Sequence, residues 1–215
     1  MIKHHTIAAG FLLIDDYKTD NALASAKGRI GEDIWKRGYT ERSCIEVRKA
    51  LKEAGAPFQT KITGVLKSIS CTQTSDGSNT YQKVRVEVQI AEDKTVILSL
   101  EPGLEFTQRL LAKLEVVEAG QTLTIGAFVE LVSRGGGRTF VNHLATVKSQ
   151  SGDEIKALRE HFAEAAKASA AAEQAMAPLG MDEKTIKSAK MAAKTNYFWK
   201  LAQAIATKFE PVTSA

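Results

Sequence analysis

Cysteine is scarce in this chain: 215 residues carry two, Cys44 and Cys71, each in an apolar or strand-like stretch. Two such positions read as buried free thiols in a reducing compartment, not as a disulfide framework. Long hydrophobic runs are missing as well. The run at residues 7–14 is too short to span a bilayer and meets Asp15 and Asp16, and no basic-then-apolar leader opens the chain. An intracellular, cytoplasmic protein is therefore expected. Catalytic signatures are absent: there is no Walker loop, no zinc-ligand spacing, no nucleophile elbow and no HExxH. His4 and His5 read as a frayed terminus, not as metal ligands, and the adjacent Asp15 and Asp16 would point to opposite faces of a strand. The expectation is a protein that is not an enzyme and needs no cofactor or metal. No repeat of fixed period and no dense cationic run is visible.

What remains is an ordinary globular composition, 44% hydrophobic and 25% charged, with a formal net charge of +4. A mildly basic balance favours an anionic partner without proving one. The first third reads as helical or irregular. Thr40 starts a helix in which Ile45, Val47, Leu51 and Ala54 recur at near-helical spacing, and Gly55 and Pro57 stop it. Residues 22–36 offer a second helix, weakened by two glycines. After Pro57 the period changes. Residues 60–72 read as a strand, 73–80 as a polar loop, and YQKVRVEVQI as the clearest alternation in the chain. Val84, Val86, Val88 and Ile90 share one face; Tyr81, Lys83, Arg85, Glu87 and Gln89 share the other. A tight turn at residues 92–94 and the strand TVILSL complete a meander. A helix at about 104–116 follows, with Phe106, Leu110, Leu111 and Leu114 as its stripe. Two more strands, QTLTIGAFVELV and RTFVNHLATV, flank the basic hairpin tip SRGGGR. From Asp153 an alanine-rich helix is expected to about Ala177. Pro178 and Gly180 break it, and Asp182 caps a last helix reaching about Phe209.

Three strands, a helix and two strands are the order of a five-stranded OB-fold β-barrel, β-β-β-α-β-β. The expected class is α+β: an N-terminal helical extension over 1–59, the barrel over 60–150, and a C-terminal helical extension over 151–215. Another β-rich meander-and-hairpin domain is the alternative. The stretch 62–157 also resembles phage and plasmid OB-fold single-stranded DNA-binding proteins. The resemblance lies in EAGQTLTIGAFVELVSRGGGRTFVNHLATVKSQSGDEIKA: a strand after a glycine, a Gly-rich basic hairpin, a Phe-Val-Asn strand and a Gly-Asp-Glu turn. It covers a little under half the chain. The end, FEPVTSA, departs from the acidic tail with a hydrophobic hook by which the bacterial members recruit repair and replication enzymes.

Nonspecific single-strand binding needs cations that follow phosphates and flat side chains on which bases stack. Tyr81 beside Lys83 and Arg85 supplies both on one wet strand face, with Glu87 as a repelling neighbour. Phe128, Phe140 and Asn142 fall on the wet faces of the last two strands, where a base or a C-terminal helix could cover the rings. Arg134 and Arg138 flank three glycines at a tip where backbone can approach a nucleic acid closely. His143 is a weaker candidate. Lys184, Lys187, Lys190 and Lys194 line one side of the last helix, and Trp35, Lys36 and Arg37 raise the same question; both groups read first as solvated or packed surface. The expected function is sequence-nonspecific single-stranded DNA binding in viral or plasmid DNA replication or recombination. Its partners would be the strand itself, replication proteins or further copies of the chain. Single-stranded RNA binding and a protein-interaction module of a replication or virion assembly are the rivals.

Overall fold

Period-two alternation with Val84, Val86 and Val88 on the inward face is what places 79–91 in the middle of a sheet. Val84, Val86 and Val88 are buried in the computed structural model, which describes residues 1–6, 11–77, 79–134 and 138–209. The side chains of Asn79, Arg134, Arg138 and Thr139 also lie outside the description. In chain order the elements are β1 (Ile2–His4), β2 (Leu12–Ile14), α1 (Tyr17–Ile30), α2 (Glu32–Arg37), α3 (Glu41–Glu53), β3 (Phe58–Gln59), β4 (Lys61–Asp76), β5 (Asn79–Ala91), β6 (Lys94–Leu100), α4 (Glu105–Leu114), β7 (Thr122–Arg134), β8 (Arg138–Ser149), α5 (Glu160–Met176), a 3-10 turn (Ala177–Leu179) and α6 (Glu183–Thr207).

The sheet is not the expected five-stranded OB barrel. It has eight strands in the order β3-β2-β1-β6-β5-β4-β7-β8, curled but open. Where a closing strand would have to reach the edge of β6, β1 runs parallel to it instead, with Ile2 opposite Leu98. The opposite edge, β8, is covered by other groups. His143 donates its backbone N–H to the Glu105 carboxylate at 2.9 Å, and Ile155 donates to the Val147 carbonyl at 2.8 Å. The N-terminal segment is thus not purely helical. Its three short strands extend the sheet.

The curl comes from β4, which changes partner along its length. Residues 61–65 pair with β7 and residues 65–76 pair with β5, with a bulge between Leu66 and Ser68. At Gly64 the crossing leaves no room for a side chain: an added Cβ would collide with the Gln89 carbonyl oxygen and lie 2.8 Å from Val88 Cγ1. The expected loop at 73–80 is instead the tip of the β4–β5 ribbon, where Thr74 pairs with Tyr81 and Asp76 with Asn79.

Two cores flank the sheet. The concave face joins Ile62, Leu66, Val86, Leu98, Leu123 and Ile125 to Phe106, Leu110 and Leu114 of α4 and to Phe198, Leu201, Ala202 and Ile205 of α6. The other face, at β2, holds a smaller cluster in which Leu13 and Phe11 pack under Leu23 and Ala26 of α1 and Val47 and Leu51 of α3. Helix starts follow their caps. Thr40 and Ser43 form a reciprocal capping box, and Asp182 accepts from the Thr185 N–H at 2.8 Å. The expected helix at 22–36 is broken at Gly31, whose φ of 85° is unfavourable for a residue with a side chain. The helix expected from Asp153 begins only at Glu160, because 153–155 run back along β8.

Candidate nucleic-acid interface

Strand alternation puts Tyr81, Lys83 and Arg85 on the outward face of β5, opposite the buried valines. Tyr81 is 48% exposed, on the ribbon tip. Lys83 and Arg85 line a cleft of about 580 Å³ together with Lys3, His5, Ser99, Asp15 and Glu101. The cations are unequally engaged. Lys83 is paired with Glu101 at 2.7 Å, and Lys3 bridges Asp15 and Asp20 at 2.8 Å each. Arg85 is exposed and has no ion pair or hydrogen-bonding partner among the described residues. Glu87 is turned toward Ser68, whose hydroxyl donates to it at 2.8 Å. The same cleft holds His5, 5.7 Å from the ring of Trp35; burial lowers the pKa of this imidazole.

The second set of expected residues lies on the β7–β8 hairpin. Its outward face carries the cross-strand pairs Phe128–Leu144, Glu130–Asn142 and Val132–Phe140. Phe128 is 42% exposed and Phe140 is 45% exposed. Asn142 donates weakly to Glu130 at 3.5 Å. Arg134 and Arg138 pair in the backbone register at the hairpin end. The glycines between them lie outside the described residues, and so do both arginine side chains. The structure therefore splits the expected site into two patches, since β4 and β7 stand between β5 and β8 in the sheet.

His4 is buried and His143 is half-buried. His4 is 7% exposed and stacks on Phe106 at 4.4 Å with the rings 3° from parallel; His143 meets it edge-on at 5.7 Å. Both His4 ring nitrogens and Nδ1 of His143 are buried without hydrogen-bonding partners. Burial lowers both pKa values, that of His4 to about 3. The frayed terminus expected at His4 is instead a strand anchored over α4. Lys3 was also missed as a cleft residue, because a three-residue strand carries too few positions to display a period.

Among the described residues no group of three His, Cys, Asp or Glu side chains could hold a metal ion, and no helix is long and apolar enough to cross a membrane. No protein-family model, curated protein or solved structure matches this chain.

Proposed function

We propose that this chain binds single-stranded DNA without sequence preference, by stacking bases on exposed rings and pairing phosphates with Lys and Arg, and that it acts by binding and not by catalysis. The observation that carries this proposal is the outward face of β5, where a half-exposed tyrosine and an arginine with no ion pair among the described residues stand on one strand beside a cleft lined by Lys3 and Lys83. A ring fixed on a sheet offers every base a π-face, and this tolerance of sequence is what nonspecific binding needs. Phe128 and Phe140 supply further half-exposed rings on the β7–β8 hairpin. The setting for such an activity is a replication or recombination intermediate in the cytoplasm, the host's where the chain is viral.

One observation favours a second reading. On the hairpin the two rings are paired with Leu144 and Val132, an apolar patch that a protein partner could also cover.

Fluorescence anisotropy with labelled oligo-dT, its duplex and the RNA equivalent separates these readings. The expected result is tight, salt-sensitive binding of oligo-dT and weak binding of the duplex. Tyr81→Ala should weaken it by about 1–3 kcal/mol with little change in salt slope. Absence of binding to oligo-dT at low salt sinks the proposal, and preference for RNA replaces its substrate.

A further inference from the structure

The C-terminal helical hairpin has a feature that the concave core does not explain. α6 buries Phe198, Trp199, Leu201, Ala202 and Ile205, all in its second half. From residue 166 to residue 197 no side chain of α5, the 3-10 turn or α6 is buried. This arm leaves Met191 62% and Leu179 61% exposed. The seam that holds its two helices is small and polar: Ser169 donates to the Lys190 carbonyl at 3.0 Å, and Lys190 pairs with Glu173 at 2.6 Å. A helix pair so thinly supported invites an external partner.

A groove of about 600 Å³ runs between this arm and the β4–β5 ribbon, lined by Lys184, Lys187, Met191, Thr195 and Asn196 of α6 and by Gln82 of β5. Gln82 is the neighbour of Tyr81 and points to the opposite face of the strand. The β5 register with β6 stops at Val84, and that of β4 with β7 stops at Val65, so at Tyr81 the ribbon is only two strands wide. A chain stacked on Tyr81 has about 10 Å to cross before it reaches the Gln82 side.

On the reading proposed above, we infer that this groove carries the backbone of the same single strand onward, with Lys184 and Lys187 on its phosphates and Gln82 and Asn196 within reach of sugars and base edges. Charge selects the occupant. Residues 181–200 hold five lysines against two acids, and Lys184 and Lys187 have no ion pair among the described residues. A second copy of the chain would have to meet these lysines with acids. Glu164 and Glu173 of α5 are already engaged by Lys167 and Lys190.

The test compares the wild type, Lys184→Gln/Lys187→Gln, Tyr81→Ala and the distant control Lys52→Gln on oligo-dT of increasing length, across salt concentrations, with sedimentation of each protein alone. The double variant should bind with a log K against log[salt] slope shallower by about 1.4, two single-strand phosphates at about 0.7 each, and should occlude fewer nucleotides. Lys52→Gln should leave affinity, slope and site size unchanged, and Tyr81→Ala should weaken binding with the slope unchanged. The inference falls if the double variant keeps the wild-type slope and site size while Tyr81→Ala still weakens binding; the β5 interface then stands alone. It also falls if the double variant changes the sedimenting mass, because the groove then holds a second copy. If the wild type binds no oligo-dT at all, the functional proposal fails first, and this inference fails with it.

Discussion

At the scale of single residues the most consequential side chain is His4. A neutral imidazole carries one N–H donor and one acceptor, and both atoms here are buried without partners. Its ring serves as a flat apolar plate on Phe106. Protonation would place a charge beside His143 on a ring whose nitrogens have no hydrogen-bonding partner. Glu105, on the α4 helix that His4 packs against, is occupied by Arg109 and the His143 backbone. The pH dependence has a definite sign. The folded pKa, about 3, lies below the unfolded value of 6.5. Above pH 6.5 both states are neutral and the group contributes nothing. As pH falls below 6.5 the unfolded chain takes up a proton that the folded one refuses, so stability drops by about 1.4 kcal/mol per pH unit for one such histidine. His143 and His5, also lowered, act in the same direction. Urea unfolding at pH 7 and pH 5 should show the wild type losing more stability than His4→Phe, by about 2 kcal/mol. Equal losses would mean that His4 is hydrated in solution.

At the scale of elements the decisive one is β4, because its change of partner at Gly64 and Val65 sets the curl. The obstacles at Gly64 and Gly126 differ in kind. At Gly64 the obstacle is the backbone carbonyl of Gln89, which cannot move without breaking the β4–β5 pairing; at Gly126 it is the Thr146 hydroxyl, the end of a side chain. Gly64→Ala should therefore cost at least the about 1–3 kcal/mol typical of overpacking. Gly126→Ala should cost less and be rescued by Thr146→Ala. Urea midpoints of the four variants decide it, and a mild Gly64→Ala would show that β4 bends elsewhere. The same element shows what was legible in the sequence. The alternation of Val84, Val86 and Val88, the α4 stripe and the caps at Thr40 and Asp182 each identified their element, because each is a local pattern several residues long. The candidate rings Tyr81, Phe128 and Phe140 were placed on outward faces for the same reason. Strands of two or three residues carry no period, so β1, β2 and β3 went unread. Leu12 and Leu13, adjacent and both fully buried, lie between two cores and cannot alternate in polarity. Without those strands nothing occupied the β6 edge, and a closed barrel followed from the remaining order.

At the scale of the whole molecule β2 is the partition between two hydrophobic bodies. Leu12 belongs to the large concave core, while Leu13 belongs to the cluster under α1 and α3, together with Phe11, over whose ring Arg48 sits at 4.5 Å. The smaller body has ten buried hydrophobic residues among those described and meets the sheet at its short-stranded end. The binding surfaces proposed above, on β5, the β7–β8 hairpin and α6, all rest on the larger one. A layer with little buried area and few sheet hydrogen bonds should open locally before the whole molecule unfolds. Leu13→Ala should cost the about 2–5 kcal/mol of a large-to-small core change, and the loss should be local. In hydrogen exchange the amides of α1 and α3 should lose protection while those of β4, β5, β7 and β8 keep theirs, and oligo-dT binding should persist. Leu12→Ala should lower protection in the concave core instead. If Leu13→Ala strips protection from β7 and β8 as well, the two bodies melt as one unit, and the α1–α3 layer is part of what holds the binding surface rigid.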